Sequence, residues 1–325
     1  MDEKVSALYS EYVIDGVARD ITPARMLGDT DREGYAPVID ESVDPALLPK
    51  GCGTFPVAMA ASRTKLMVSV ALIDALWRRG HFRIGNLNVG VSWKWFEDRL
   101  GNMSAFYSSV EALAEYCDAL GLNIRAYDYS ASEGDCTCEV TVGVETREDN
   151  DGEKPFSVEN PEIGPEVRYP EKVVCDPKSW IIYVPFETEW GVEDPDYFID
   201  CYELVRELVE DGIILSGCTV SSGLGRTLEN YIAGAGASVR IAEIKNYFEI
   251  GDSGKILSDE VPGVLFQIRD IDYDYIDAEF LLQDVAYFPL GNPKGGRLMF
   301  DMTDKSGIQS ILESLISSQS SEGED

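Results

Sequence analysis

Residues 87–95 are Leu-Asn-Val-Gly-Val-Ser-Trp-Lys-Trp, and they form the centre of the first half of the sequence. Apolar residues alternate with small or polar ones from Leu87 to Trp93, which predicts a strand with one buried face. Before this stretch, apolar residues recur at spacings of three and four from Leu66 to Trp77 and predict a helix. After it, a second helix is predicted over Ala105–Leu120, with Ser104 as its N-cap residue.

Strands and helices continue to alternate along the rest of the chain. Further strands are predicted at residues 123–129, 137–145, 180–186, 213–215, 238–244, 264–269 and 285–288. Further helices are predicted at residues 196–210, after a Ser/Gly turn up to about residue 232, at 273–282 and at 304–317. This order of elements predicts an α+β (α/β) chain with two lobes.

The pattern also predicts the division of the chain. The two lobes are expected at residues 51–146 and 172–315. Residues 1–50 show little periodicity and are expected to be an irregular extension. Residues 147–171 are charged and rich in proline, as in a linker or a surface excursion, and residues 316–325 are expected to be a disordered acidic tail.

The charge of the chain excludes several classes of partner. It has 325 residues, with 27 Lys+Arg against 59 Asp+Glu, for a formal net charge of −32. Such a chain repels phosphate backbones and anionic lipids, so neither nucleic acid nor a membrane is an expected partner. The N-terminus is acidic and polar, unlike a signal peptide, and the expected compartment is the cytoplasm.

Cysteine and histidine usage limits the chemistry further. There are seven cysteines and one histidine, His81. Cys136 and Cys138 would share a face, but a zinc site needs more ligands, so the thiols are expected to be reduced and structural. Any triad with a histidine would have to use His81, which follows a predicted helix and is expected to be an exposed loop residue. The sequence therefore assigns no catalytic residue.

Five short segments, in order along the chain, carry a resemblance to a known family. They are Ala71-Leu72-Ile73-Asp74, Val91-Ser92-Trp93-Lys94-Trp95, Leu120-Gly121-Leu122-Asn123-Ile124, Leu224 with Thr227 and Leu228, and Glu260 with Gly263, Gln267 and Ile268. They resemble motifs of the C-terminal half of phosphoribosylformylglycinamidine synthase, which has the aminoimidazole-ribonucleotide-synthetase-like fold. The resemblance runs from about Ala36 to Phe300.

The resemblance implies an architecture, a reaction and partners. The first lobe would contribute strands to a barrel, and the second would pack helices on a mixed sheet. The family converts a formylglycinamide ribonucleotide to its amidine, using ATP and ammonia derived from glutamine. A homodimer, or a heteromer with a complementary synthase half, is implied, as are ATP or ADP and magnesium. Asp74 lies where the family has a magnesium-binding helix residue.

Departures from the family motifs leave two hypotheses open. Val70 replaces a family carboxylate, Asp128 replaces the lysine of a Lys-Asp-Ser turn, and residues 218–223 lack the acids and arginine of an Asp-Arg-Ser-Asp-Gly-Gly turn. The family's histidine segment and a glutaminase domain are also missing. One hypothesis is a half-enzyme that needs a partner chain. The other is a catalytically inactive homologue, cellular or viral, with a structural or regulatory role.

Two segments are candidates for binding phosphate or a nucleotide. Ser221, Ser222, Gly223, Gly225 and Arg226 begin a predicted helix, where unpaired N–H groups and a cation could hold an anion. The alternative is a serine-capped helix start with glycines for close packing.

Ser130 and Ser132, in the segment that replaces the Lys-Asp-Ser turn, are the second candidate group. The acidic cluster at residues 270–277 lacks the pattern of a calcium-binding loop and is expected to be a solvated face.

Overall fold

The computed structural model describes residues 7–29, 38–41, 57–79, 82–144 and 169–301. The chain divides into two compact units. Unit 1 takes residues up to 168 together with 193–211, and unit 2 takes residues 169–192 together with everything from 212 onward. None of the described helices has the length and apolar character needed to cross a membrane.

In its described residues, unit 1 contains two three-stranded sheets and four helices. Its strands are β1 (Glu11–Ile14), β2 (Val17–Ala18), β3 (Val38–Glu41), β4 (Leu87–Trp95), β5 (Asn123–Ala131) and β6 (Thr137–Val144). Its helices are α1 (Pro23–Met26), α2 (Ala60–Arg79), α3 (Asn102–Ala119) and α4 (Pro195–Glu210), with 3-10 turns at Ala7–Tyr9, Val57–Met59 and Ile84–Asn86.

Strand β4 is the centre of the larger sheet in unit 1. It pairs in parallel with β5 and antiparallel with β6. Every second side chain of β4 is buried, which confirms the alternation in the sequence; these are Leu87, Val89, Val91, Trp93 and Trp95. Helices α2 and α3 pack together, and Phe106 of α3 contacts the rings of both tryptophans. The two tryptophans therefore belong to the core of unit 1.

Buried hydrogen bonds position helix α3 on this sheet. The indole nitrogen of Trp93 donates to Ser109 Oγ at 3.0 Å, and that of Trp95 donates to the Asn102 carbonyl at 2.7 Å. Thr64 and Ser109 also share a hydrogen bond of 2.7 Å. Because buried polar groups are costly unless they are paired, these bonds favour one placement of α3 over the sheet.

The described part of residues 1–50 is more regular than the sequence predicts. Strand β1 pairs antiparallel with β2 and parallel with β3, although β1 and β3 are far apart along the chain. Strands of two to four residues are too short to produce a readable periodicity, so their pairing is visible only in three dimensions.

Over residues 169–192 and 212–301, unit 2 contains six strands and four helices. The strands are β7 (Ser179–Pro185), β8 (Ile214–Val220), β9 (Ser238–Arg240), β10 (Gly263–Arg269), β11 (Phe288–Gly291) and β12 (Met299–Asp301). The helices are α5 (Leu224–Tyr231), α6 (Ala242–Tyr247), α7 (Ser253–Ser258) and α8 (Tyr273–Leu282), with a 3-10 turn at Asp270–Asp272.

Helices pack against the main sheet of unit 2. Its order is β11-β7-β10-β8 with antiparallel pairing, while β9 and β12 form a separate parallel pair. Side chains of β7 and β10, such as Ile181 and Leu265, form one core with residues of α5, α6 and α7. Phe266 of β10 stacks on Phe280 of α8, with ring centres 6.5 Å apart. Helices on a sheet, with mixed pairing in each unit, confirm the predicted α+β class.

Several element boundaries differ from the prediction; strand β8, for example, extends to Val220, whereas the sequence predicts its end at residue 215. Helix α3 begins at Asn102 with Gly101 as its N-cap, so Ser104 is a buried first-turn residue and not the cap. The strand predicted at 238–244 ends at Arg240 because the chain then turns into α6. The last predicted strand starts three residues late, at Phe288, because the Val285 N–H donates to the Phe280 carbonyl at the end of α8.

Some predictions lie outside the described residues. These are His81, Cys52, the helix at 304–317, the tail at 316–325 and nearly all of the expected linker at 147–171.

Candidate functional site

The turn between β8 and α5 is the first candidate site, and it lies in unit 2. Gly223 is the N-cap of α5 and has a φ of 87°, a conformation that favours glycine. No side chain caps this helix, so neither Ser221 nor Ser222 plays the capping role that the alternative hypothesis gave them. Thr227 closes the first turn by donating its hydroxyl to the Gly223 carbonyl at 2.9 Å.

The two glycines of this turn lie against the end of α7. A Cβ added to Gly223 would be 2.8 Å from the Leu257 carbonyl oxygen, and one added to Gly225 would be 3.1 Å from the same atom. Close packing therefore explains why glycine is needed at both positions. The expectation that these glycines serve close packing is therefore correct. It holds whether or not the turn also binds a ligand.

The polar groups of the same turn remain available to bind a ligand. Ser222 and Arg226 are exposed and Ser221 is half-buried. Within the described residues, no acceptor is found for the N–H groups of Leu224, Gly225 and Arg226, as expected for the first turn of a helix. The turn therefore combines N–H donors that have no acceptor among the described residues with two hydroxyls and a guanidinium, a combination that suits an anion.

The second group of candidates lies in unit 1, on the face of the β5-β4-β6 sheet opposite the buried side chains. Ser130 of β5 pairs with Lys94 of β4, and both side chains are exposed. Ser92 is flanked by Asp128 on β5 and Glu139 on β6 in the next row. A lysine thus stands beside Ser130, although Asp128 has replaced the lysine of the family turn.

Sequence reasoning missed Lys94 as a neighbour of Ser130. Lys94 is visible in the sequence as an outward-facing residue of an alternating strand. Its position next to Ser130 depends on the register of β4 against β5, which local patterns do not determine. Among the residues that the structure describes, Lys94 takes part in no ion pair.

Ser132 has a local role. Its hydroxyl donates to the Asp135 carbonyl at 2.6 Å and accepts bonds from the N–H groups of Gly134 and Asp135. These bonds hold the turn between β5 and β6. A ligand that used the Ser132 hydroxyl would have to compete with this turn, so Ser132 is a weaker candidate than Ser130.

The described residues do not fit a resident magnesium ion. Asp74 is half-buried on α2, and Val70 precedes it by one helical turn. Nowhere in the described ranges do three or more acidic, histidine or cysteine side chains come together as a metal site would require. Magnesium prefers several oxygen ligands, and Asp74 supplies one carboxylate.

The cysteine pair is buried. Cys136 and Cys138 are both inaccessible, and Cys136 accepts a bond from the Asn102 side chain at 3.5 Å. Burial raises the pKa of Cys138 to about 12, so its thiol stays protonated at neutral pH. A protonated, buried thiol is a poor nucleophile and a poor metal ligand.

Comparison with known structures assigns the fold. The chain is similar to PurL of T. maritima complexed with ATP, with a TM-score of 0.56 and 13% identity over 76% of this chain and 40% of that one. The chain has a PurL-like fold. PurLQS of Thermotoga maritima gives a TM-score of 0.54 at 13% identity over 76% of this chain and 41% of that one. T. maritima PurL complexed with FGAR gives 0.53 at 12% identity over 76% of this chain and 42% of that one.

These PurL similarities confirm the predicted aminoimidazole-ribonucleotide-synthetase-like fold. At such low identity they concern the fold and not the activity. The chain spans about two fifths of the length of the PurL chains that it matches. No protein-family model matches the sequence, and no curated protein matches it.

Proposed function

We propose that this chain is a PurL-like half-enzyme of purine biosynthesis. In this proposal it binds a phosphate-bearing ligand and needs a partner chain for ATP-dependent amidine formation. The fold supports the proposal, since the similar T. maritima proteins are PurL complexed with ATP, with ADP and with FGAR. Every one of these ligands carries phosphate.

The observation that carries the proposal is the set of polar groups at the start of α5. Three N–H groups that have no acceptor among the described residues lie beside the half-buried Ser221 and the exposed Ser222 and Arg226, at a glycine turn after a strand. In a chain of net charge −32, a cation beside unpaired N–H groups is a favourable place for a phosphate. We assign the phosphate of the ligand to this turn.

The open face of the β5-β4-β6 sheet supports a need for a partner. Its row of side chains is small or polar, with Gly90, Ser92 and Lys94 along β4. In the family resemblance these strands complete a barrel with a second copy or with the other synthase half. A homodimer or a heteromer is therefore part of the proposal, and Ser130 would lie inside such a barrel.

ATP or ADP is the proposed nucleotide, and among the described residues no group of side chains fits a magnesium ion held by the protein alone. With Asp74 as a single carboxylate, magnesium would have to arrive on the phosphates of the nucleotide. The affinity for nucleotide should then depend less on magnesium than in a protein that has a full set of carboxylate ligands for the ion.

A second candidate function rests on the residues around Ser130. Asp128 and Glu139 place two carboxylates in the row next to Lys94, and they would repel a phosphate there. This arrangement favours an inactive homologue that keeps the fold and its pairing surface and serves a structural or regulatory partner. The two candidates differ in whether the chain binds nucleotide.

Calorimetric titration of the full chain with ATP, ADP and inorganic phosphate, each with and without magnesium, tests the proposal. We expect binding of ATP and ADP, and a loss of affinity of at least about tenfold in Arg226→Ala, since one charge-assisted contact is worth roughly 1.5–3 kcal/mol. The matched control is Arg297→Ala, which removes another exposed arginine from the same unit.

The outcomes separate the two candidates. Binding that Arg226→Ala weakens and Arg297→Ala does not supports the assigned turn. No heat with any nucleotide, or equal effects of the two variants, overturns the nucleotide assignment and favours the inactive homologue. If binding is found, ADP release in a mixture with the complementary synthase half, FGAR and ammonia tests the half-enzyme directly.

A further inference from the structure

Helix α8 of unit 2 and the turn before it carry a row of exposed apolar side chains. Ile271 is 82% exposed, Leu282 79%, Leu281 70% and Tyr275 45%. The exposed Ala278 lies between Tyr275 and Leu282. From Ile271 through Tyr275 and Ala278 to Leu282 the spacing is four, three and four residues, which places these side chains on one side of a helix. Together with Leu281 they form the α8 stripe.

The α8 stripe is a second apolar side of a helix that already has a buried one. On the opposite side Ile276 and Phe280 are fully buried, and the Phe280 ring stacks on Phe266 of β10. A surface helix of a globular protein needs one apolar side to pack on its core. A contiguous exposed row on the other side is typical of a surface that binds a partner.

Acidic residues border the α8 stripe on both sides. Asp277 and Glu279 are the neighbours of Ala278 in the sequence, so they lie about 100° to either side of the middle of the stripe. Both are half-buried, and the fully exposed Asp274 lies on the same side of the helix as the stripe. An apolar row with carboxylates along both edges is therefore presented to solvent.

Few cations are available to these acids within the chain. Residues 270–293 contain six acidic residues and neither lysine nor arginine. Among the described residues, the one ion pair made by these acids joins Asp272 to Arg269, at 2.9 Å. The stripe thus lies in a region of net negative charge.

Charge complementarity selects the occupant of the stripe. A second copy of the same face would bring its own acids against these, and like charges across an interface are costly. In pairs of helices, the charges beside the apolar seam choose the partner, and acids on one helix are matched by lysine or arginine on the other. From Ile271 to Leu282 the stripe extends about 16 Å at the helical rise per residue, which corresponds to a partner helix of about three turns.

We propose that the α8 stripe binds a basic amphipathic helix of a partner protein. The apolar residues of that helix cover the stripe, and its lysine or arginine side chains meet Asp277 on one edge and Glu279 on the other. The proposal concerns unit 2 alone and does not depend on nucleotide binding.

Titration of the full chain into two fluorescein-labelled synthetic peptides, read by fluorescence anisotropy at physiological ionic strength, tests the proposal. Both peptides consist of leucine and lysine in the same amounts. In one peptide the leucines lie on a single helical face, and in the other the order is scrambled. The first should bind at least about tenfold more tightly, because only its leucines can cover the stripe together. Since the peptides carry equal charge, general attraction to a chain of net charge −32 cannot produce this difference.

Variants of the stripe and of its acidic edge test the location. Ala278→Lys places a cation in the middle of the stripe at an exposed position, so the chain should still fold and binding should weaken at least about tenfold. Asp274→Asn combined with Glu279→Gln should weaken binding about threefold or more and reduce its dependence on salt. The matched control, Glu229→Gln combined with Glu243→Gln, removes two exposed acids elsewhere in unit 2 and should leave the affinity unchanged.

Several outcomes contradict the proposal. Equal affinity for the two peptides, or no binding of either, would overturn it. So would unchanged binding in Ala278→Lys, with circular dichroism confirming that this variant is folded, or a control pair that lowers the affinity as much as the edge pair. Sedimentation velocity addresses the remaining occupant, because a dimer that Ala278→Lys dissociates would identify a second copy on the stripe and overturn the assignment to a basic helix.

Discussion

The side-chain Oε2 of Glu41 accepts a hydrogen bond from the backbone nitrogen of Ser104 at 3.1 Å. The same oxygen accepts a second bond, from the nitrogen of Met103, at 3.0 Å. A carboxylate on strand β3 thus satisfies the start of helix α3, where the sequence predicted Ser104 as the cap. A negative charge at this position is favourable, because the first N–H groups of a helix are unpaired and point toward it.

Removing this carboxylate should destabilise unit 1. We expect Glu41→Ala to lower the free energy of unfolding by about 1–2 kcal/mol, since two N–H groups lose their acceptor. Glu41→Gln keeps an acceptor oxygen and should cost less. Urea denaturation followed by circular dichroism measures both. Asp40→Ala changes an exposed acid of the same strand and should have little effect; an equal loss there would contradict the capping role.

The buried thiol of Cys117 should make stability fall at alkaline pH. Burial raises its pKa from 9.0 to about 12, so the folded state binds a proton that the unfolded state releases. The resulting stability is complete below pH 9 and is lost as the pH rises toward 12. Thermal unfolding between pH 8 and 11 should therefore show a shallower decline in Cys117→Ala than in the wild type. Identical slopes would show that other groups account for the alkaline limb.

Thiol labelling provides a further check on the cysteines. Cys175 is exposed, whereas Cys117, Cys136, Cys138 and Cys201 are buried. We expect iodoacetamide to modify Cys175 rapidly at pH 8 and to leave the four buried thiols intact until the chain unfolds. Mass spectrometry of peptides identifies the modified positions. Rapid labelling of Cys138 in the folded protein would contradict its buried position on β6.

The effect of the close contact between Gly223 and α7 on the free energy of unfolding can be measured by comparison with Gly234. Gly223 and Gly234 have nearly the same φ, 87° and 88°, but a Cβ on Gly234 would meet no atom within 4 Å. Gly234→Ala should therefore cost about 1–2 kcal/mol of unfolding free energy from backbone strain alone. Gly223→Ala adds the contact with the Leu257 carbonyl and should cost more. Equal losses would show that the α7 contact is unimportant.

Gln267 should be essential to the core of unit 2. Its side-chain nitrogen donates to the Val174 carbonyl at 2.8 Å and to Ser179 Oγ at 2.6 Å, and its oxygen accepts from the Val174 nitrogen at 2.8 Å. Gln267→Met would leave these groups unpaired and should cost about 2–4 kcal/mol. Gln283→Met, at an exposed glutamine after α8, should cost almost nothing. Exchange of the Val174 amide reports the local effect.

Elements with a strong local pattern were predicted well. Helix α8 occupies the predicted residues, Tyr273–Leu282, and β4 shows the predicted alternation along its length. Strand β1 was not predicted, because four residues carry too little periodicity. The prediction that Ser104 caps α3 is wrong. The acceptor for the first N–H groups of this helix is Glu41, which lies on a strand far away in the sequence.

The candidate site also has one part that the sequence predicts and one part that it does not. The glycine turn before α5 was predicted from its residues, and the structure adds that Gly223 and Gly225 pack on Leu257. The neighbourhood of Ser130 was not predicted. Lys94 stands next to Ser130 only because β4 and β5 pair in parallel in one particular register.

By itself, the amino-acid sequence determined the α+β character, the buried face of β4, the glycine turn before α5 and, through ordered motifs, the PurL-like fold. These features depend on periodicity and on the local conformational preferences of residues, which neighbouring positions encode. Only the tertiary structure decided that Glu41 caps α3, that Lys94 lies beside Ser130 and that α8 exposes an apolar face. Each of these depends on which distant segments pair and on which faces remain uncovered, and local patterns carry no record of that pairing.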